Sequence, residues 1–145
     1  MFDEVLVDKY YDTYHHDLVN ADHWLRQRNG DWELKYPVTA DAQQSSSAAT
    51  VYHETTCIED IMSRLKPMLK LETSLTCLLD QGILKAFAHL ETKRKCYNKD
   101  DINIVIDATD WGHIVGEIEI VVNDYDKISE ATENIELIGN QLGKF

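Results

Sequence analysis

Three cationic side chains stand close together in the chain at Arg26, Arg28 and Lys35. In a β-strand, residues two apart point to the same face, so the two arginines would share one. Arginine binds phosphate oxygens through paired hydrogen bonds, and lysine binds them as a point charge. These residue types predict a site for a phosphate-bearing anion. Arg94, in the basic run over residues 93–95, is a further candidate cation for this site. The alternative interpretation is a solvated strand face with weak surface ion pairs.

Two carboxylates, Glu117 and Glu119, show the same two-residue spacing in a second predicted strand. Carboxylate oxygens in this arrangement suit a hard cation such as Mg²⁺, which prefers oxygen ligands and keeps several of its waters. A Glu-x-Glu pair is also common as solubility charge on a strand edge. Both interpretations therefore stay open from the spacing alone.

The element that must position the first cations is a β-hairpin around Asn29 and Gly30. Asn-Gly between two alternating apolar and polar runs favours a two-residue turn, because both turn residues need a positive φ. The predicted register places Arg28 opposite Asp31, Arg26 opposite Glu33 and Trp24 opposite Lys35. One face then carries Trp24, Arg26, Arg28, Asp31, Glu33 and Lys35, and the other carries Leu25, Gln27, Trp32, Leu34 and Tyr36.

The remaining periodicities predict a mixture of strands and helices. The predicted elements are strands over 4–11, 51–55 and 84–97, a helix from Ile58 that Pro67 ends, a short helix over 74–79, a second hairpin of 101–107 with 114–122, a final helix over 127–142, and a loop over 40–50. We expect an α+β fold in which a curved antiparallel sheet turns its polar faces inward and helices cover it outside.

The bulk properties predict one domain over residues 1–145 and exclude several classes of function. A net charge of −12 argues against a nucleic-acid partner, since phosphate backbones are bound by basic surfaces. No run approaches the ~20 apolar residues of a membrane span, and no signal peptide is visible. The three widely spaced cysteines indicate reduced thiols, so we expect a cytoplasmic protein.

Four segments together resemble one family. DKYYDT, ADHWLRQRNGDWELKYP, ETKRK and DATDWGHIVGEIEI occur in that order. They look like the CYTH superfamily, also called triphosphate tunnel metalloenzymes, and within it they are most similar to animal thiamine triphosphatases. The resemblance implies a β-tunnel that binds a triphosphate and Mg²⁺, and hydrolysis of thiamine triphosphate, a small molecule, to thiamine diphosphate and phosphate.

The resemblance also implies roles for individual residues, matched position by position. The triphosphate-binding cations match Arg26, Arg28, Lys35 and Arg94, the metal ligands match Glu117 and Glu119, and the substrate end matches Tyr10 and Trp24. Asp107, two residues beyond the family's metal-site aspartate position, is a further candidate ligand.

Three departures from the family pattern qualify this interpretation. The opening Glu-x-Glu-x-Lys strand has no match in residues 1–6, Val105 stands where the family places a metal-site aspartate, and the family's last strand lies beyond residue 145. We therefore expect a domain truncated at both ends, with an incomplete tunnel. Two alternatives follow: a catalytically impaired module that binds triphosphate or other anions, and a protein that pairs through its open sheet edges. We expect a monomer, with a dimer through those edges as the second case.

Overall fold

The structure is a computed structural model, and it describes residues 1–38 and 49–143. Within those ranges the chain forms β1 (Phe2–Asp12), α1 (Asp17–Asn20), β2 (Trp24–Arg28), β3 (Asp31–Pro37), β4 (Tyr52–Thr55), α2 (Ile58–Leu69), α3 (Leu75–Asp80), β5 (Lys85–Lys99), β6 (Ile102–Thr109), β7 (Ile114–Ile120) and α4 (Ile128–Leu142). Hydrogen bonds order the strands as β4-β3-β2-β1-β5-β6-β7 in one sheet. The predicted α+β fold on an antiparallel sheet is confirmed.

The described residues divide into two compact units. The hairpin unit comprises Val7–Val38 and Tyr52–Leu90, and the terminal unit comprises Met1–Leu6 together with residues 49–51 and 91–143. A single domain over residues 1–145 stays a prediction. In the described ranges no helix combines the length and the apolar character needed to cross a bilayer.

The predicted hairpin of β2 and β3 is confirmed residue by residue. Arg28 pairs with Asp31, and the register continues through Arg26 with Glu33 to Trp24 with Lys35. Asn29 and Gly30 have φ values of 49° and 94°, as a turn of this type requires. The turn also contacts β1, because Asn29 Oδ1 accepts a hydrogen bond from the Val7 amide at 2.8 Å.

The apolar face of this hairpin forms one side of the hydrophobic core of the hairpin unit. Leu25 and Leu34 are 1% and 0% exposed, and they pack with buried residues of α1, α2 and α3. Fully burying a side chain of this size contributes about 1.5–3 kcal/mol. Because side chains alternate along a strand, burial of this face directs the cations to the opposite face.

Two local predictions need correction. Pro67 lies inside α2, which continues to Leu69 and closes at Lys70 in a left-handed conformation. Proline removes one backbone hydrogen bond near the helix end, and burial of Ile61 and Leu65 on the same helix outweighs that loss. The predicted loop over 40–50 lies almost entirely outside the described residues.

A short helix that the sequence did not predict, α1, follows β1. The buried carboxylate of Asp12 accepts hydrogen bonds from the amides of Leu18 at 3.0 Å and Val19 at 2.9 Å. These bonds satisfy two of the free N–H groups at the helix start. They allow Leu18 to be fully buried in the core.

In the terminal unit, β6 pairs with β7, which confirms the second predicted hairpin, and β5 pairs with the other edge of β6. Val105 lies opposite Cys96 on one side and Glu117 on the other, and Asn103 lies opposite Glu119. Val105 and Cys96 are only 3% and 5% exposed. The predicted final helix is confirmed as α4, which lies against β7.

Candidate functional site

Arg28 is held by a buried carboxylate on the neighbouring strand. Its Nε and Nη2 atoms donate to the two oxygens of Asp8 at 2.8 and 2.7 Å. Asp8 is 3% exposed and stands directly opposite Arg28 in the register of β1 and β2. Two parallel bonds fix the plane of the guanidinium, so this arginine keeps one orientation before any ligand arrives.

Arg26 is held on both sides of its strand. Its Nε donates to Glu33 Oε2 at 2.8 Å, and its Nη1 donates to the Tyr10 hydroxyl at 3.2 Å. Burial alone would lower the pKa of Arg26, but its interactions with Tyr10 and Glu33 outweigh burial and raise that pKa above its ordinary value. The guanidinium is therefore a permanent cation.

Lys35 completes the cations of this face and is held more loosely. Its Nζ lies 3.5 Å from Glu54 Oε1 and 4.8 Å from the centre of the Tyr52 ring. An ion pair at this distance between two partly exposed side chains stabilises the fold by only about 0–1 kcal/mol. Lys35 is therefore the cation of this face that can be redirected most easily to an incoming anion.

The two aromatic residues predicted at the substrate end lie in contact. The Tyr10 and Trp24 rings meet edge to face with their centres 6.3 Å apart, and Phe87 approaches Tyr10 at the same distance. Phe87 was missed by the sequence analysis, which had no information on which part of β5 would lie near β1.

In the terminal unit, Arg94 binds Asp107 on the adjacent strand. Nε and Nη2 donate to Oδ1 and Oδ2 at 2.8 and 2.7 Å. The hydrogen bond to Asp107 is the main cause that raises the pKa of Arg94 above its ordinary value, and the charges of Glu119 and Glu117 act in the same direction. Asp107 is thus occupied by an arginine, which argues against its role as a metal ligand.

The predicted metal ligands Glu117 and Glu119 lie on the same face of β7. Opposite them on β6 stand Val105 and Asn103, respectively. Neither position supplies a carboxylate, and in the described residues no group of three or more His, Cys, Asp or Glu side chains is arranged to hold a metal ion. Two carboxylates suffice for Mg²⁺ when substrate phosphates provide further oxygens, so this donor set fits an ion that is shared with the anion.

The structure brings the predicted residues together in two sets. In the hairpin unit, Tyr10, Trp24, Arg26, Arg28 and Lys35 occupy one face of three adjacent strands. In the terminal unit, one face of β5, β6 and β7 carries the second set, Arg94, Asp107, Glu117 and Glu119. That the two sets converge on a single ligand stays a prediction.

A separate concavity of about 470 Å³ in the hairpin unit lies at the start of α2 and α3 and is lined mainly by apolar surface. Its one cation, Lys66, is paired with Glu72 at 3.2 Å. None of the predicted site residues lines it, so it is separate from the predicted anion site.

Comparison with known proteins identifies the family. The model of the CYTH domain matches residues 3–145. Thiamine-triphosphatases of Homo sapiens and Macaca fascicularis are each 30% identical to this chain, in alignments that cover 94% of it. The chain spans 64% of the length of these curated relatives.

Solved structures agree on the fold. A protein of Pyrococcus horikoshii superposes with a TM-score of 0.60 at 24% identity, covering 100% of this chain and 78% of its own. A protein of Pyrococcus furiosus superposes with a TM-score of 0.55 at 17% identity, covering 100% and 77%. Because the family model matches almost the whole sequence, the chain belongs to the CYTH domain family.

Proposed function

We propose that this chain hydrolyses the terminal phosphoanhydride bond of an organic triphosphate in an Mg²⁺-dependent reaction. Thiamine triphosphate is the substrate we propose, with thiamine diphosphate and phosphate as products. Family membership and the 30% identity to thiamine-triphosphatases support the reaction class. The observation that carries the proposal is the face of β2 and β3, where two arginines and a lysine stand on adjacent strands.

This face has the properties that phosphoryl transfer requires. Attack of water on the terminal phosphorus needs positioning and charge neutralisation, and no covalent nucleophile. Arg26 and Arg28 offer guanidinium groups whose planes are already set by Glu33 and Asp8. Lys35 adds a mobile charge. In the proposed complex these three cations, with Arg94, bind the phosphate oxygens.

Glu117 and Glu119 are the residues that would hold Mg²⁺, together with oxygens of the bound phosphates. When bound, the ion would neutralise charge on the phosphates and orient the attacking water. Arg94, whose charge interacts with both glutamates, forms its own ion pair with Asp107.

Release of phosphate tests the proposal. Purified chain is incubated with thiamine triphosphate and Mg²⁺, and the Glu117→Gln variant is assayed in parallel. Glu133→Gln, which removes the same charge from the exposed side of α4, is the matched control. We expect release by the unsubstituted chain and the control, and loss in Glu117→Gln. Equal rates in all three would contradict the proposed role of Glu117.

A second candidate is an anion-binding module without catalysis. It is favoured by the metal side of the site, because Val105 and Asn103, which stand opposite Glu117 and Glu119, supply no carboxylate. Calorimetry with inorganic tripolyphosphate separates the two functions. Binding that Mg²⁺ does not strengthen, together with no phosphate release, would favour the module.

A further inference from the structure

One carboxylate, that of Asp22, takes hydrogen bonds from two different strands at the edge of the cationic face. Its Oδ1 accepts from the indole Nε1 of Trp24 at 2.9 Å. The hydroxyl of Tyr52 on β4 donates to Oδ2 at 2.9 Å and to Oδ1 at 3.1 Å. Hydrogen bonds to an ionised acceptor are roughly twice as strong as neutral ones, so this carboxylate is a firm anchor.

The backbone fixes where this anchor stands. Asp22 has a φ of 57°, in the left-handed region that Asp and Asn adopt more readily than most residues. Its amide donates to the Val19 carbonyl at 2.9 Å, which ties the turn to α1. The carboxylate is therefore placed by the fold and needs no ligand to reach its position.

The anchor sets the orientation of the Trp24 ring. An indole side chain has only two torsions, and here the hydrogen bond at Nε1 holds one edge while the Tyr10 ring restrains the plane at 6.3 Å. The Tyr10 hydroxyl in turn accepts from Arg26 at 3.2 Å. The position of the indole relative to a phosphate-binding arginine thus depends on Asp22.

We infer that Asp22 is a positioning residue, which holds the Trp24 ring as a wall for the organic group of the triphosphate beside the arginines that bind its phosphates. The inference rests on the proposed function and assigns Asp22 no contact with substrate. Burial and the hydrogen bond to Asp22 raise the pKa of Tyr52.

A purely structural role for Asp22 would also produce these hydrogen bonds, since the carboxylate joins the start of β2 to β4. The two roles differ in what they predict for ligands. If Asp22 only stabilises the fold, its loss should weaken the binding of every anion to the cationic face. If it positions the indole, its loss should weaken only the binding of an anion that carries an organic group.

The first test observes the contact itself. The chain has three tryptophans, so a proton–nitrogen NMR spectrum shows three indole N–H signals, of which that of Trp24 is identified by its loss in Trp24→Phe. In Asp22→Asn, which keeps the size and the tolerance of positive φ, we expect this signal alone to move. The control Asp31→Asn removes a charge from the exposed end of the same hairpin and should leave the Trp24 signal in place. An unmoved Trp24 signal in Asp22→Asn would overturn the inference.

The second test compares thiamine triphosphate with inorganic tripolyphosphate by calorimetry. We expect Asp22→Asn to raise the dissociation constant of the organic triphosphate by about fivefold to tenfold, because the asparagine oxygen still accepts from the indole but no longer carries a charge. Binding of tripolyphosphate should change by less than about twofold, and Asp31→Asn should leave the ratio of the two constants as it is. Equal weakening of both anions, or no weakening, would overturn the inference. If the unsubstituted chain binds neither anion, the proposed function fails and the inference fails with it, while the NMR signal still reports the contact.

Discussion

Replacement of Arg28 by alanine should destabilise the fold and weaken anion binding at once. Arg28 and Asp8 have side chains that are 16% and 4% exposed, so the variant leaves a carboxylate without its partner in a site that water scarcely reaches. Breaking a buried pair by removing one partner costs about 3–5 kcal/mol. For a chain of this size that corresponds to a fall in Tm of roughly 10 °C.

Chemical denaturation followed by circular dichroism measures this cost. Arg64→Ala is the matched control, because Arg64 is exposed on α2. Its guanidinium lies over the Tyr36 ring, 4.3 Å from the ring centre. The double variant Asp8→Ala with Arg28→Ala removes both charges and should be more stable than Arg28→Ala alone. A loss in Arg28→Ala no larger than in Arg64→Ala would refute the reasoning that the pair is buried and mutually dependent.

The remaining predictions concern the metal, the buried valine and two titratable groups. Mg²⁺ titrated into the free protein should bind weakly by calorimetry, and appreciably once the protein is saturated with tripolyphosphate; tight binding without the anion would contradict the two-carboxylate site. Val105→Asp should strengthen Mg²⁺ binding to the free protein, because position 105 lies directly opposite Glu117; unchanged affinity would refute this. Burial raises the pKa of the Cys96 thiol, so at about pH 8 iodoacetamide should modify the exposed Cys57 first, as peptide mapping would show, and denaturant should abolish the difference. Burial and Asp22 raise the pKa of Tyr52 in the folded state, so its neutral hydroxyl contributes stability that is present below about pH 10 and lost as pH rises through the folded-state pKa; unfolding experiments across that range should show a steeper loss in the unsubstituted chain than in Tyr52→Phe.

Features that depend on neighbouring residues could be predicted from the sequence. The Asn29-Gly30 turn determines the register of β2 and β3, because both residues accept positive φ and the flanking alternation allows one face to be buried. The same reasoning placed the cations on the polar face and predicted the second hairpin. The amphipathic repeat of α4 predicted that helix to within one residue of its start.

Features that depend on pairing between distant segments were decided by the tertiary structure alone. Asp8 and Arg28 are 20 residues apart, and Asp22 and Tyr52 are 30 apart. The sequence offers each arginine many acidic partners, and only the register between strands selects one. The same holds for Arg94, which binds Asp107 because these two residues stand opposite each other across β5 and β6.

The departures from local rules have the same cause. Pro67 is tolerated in α2 because the burial of Ile61 and Leu65 stabilises that helix. Asp12 accepts from the amides at the start of α1, and the burial of Leu18 stabilises this short helix. Local propensity contributes less than about 1 kcal/mol per ordinary residue, whereas each buried side chain contributes more. Sequence periodicity therefore determined the strands, their faces and the residue types of the site, and tertiary packing decided which carboxylates hold Arg28 and Arg94.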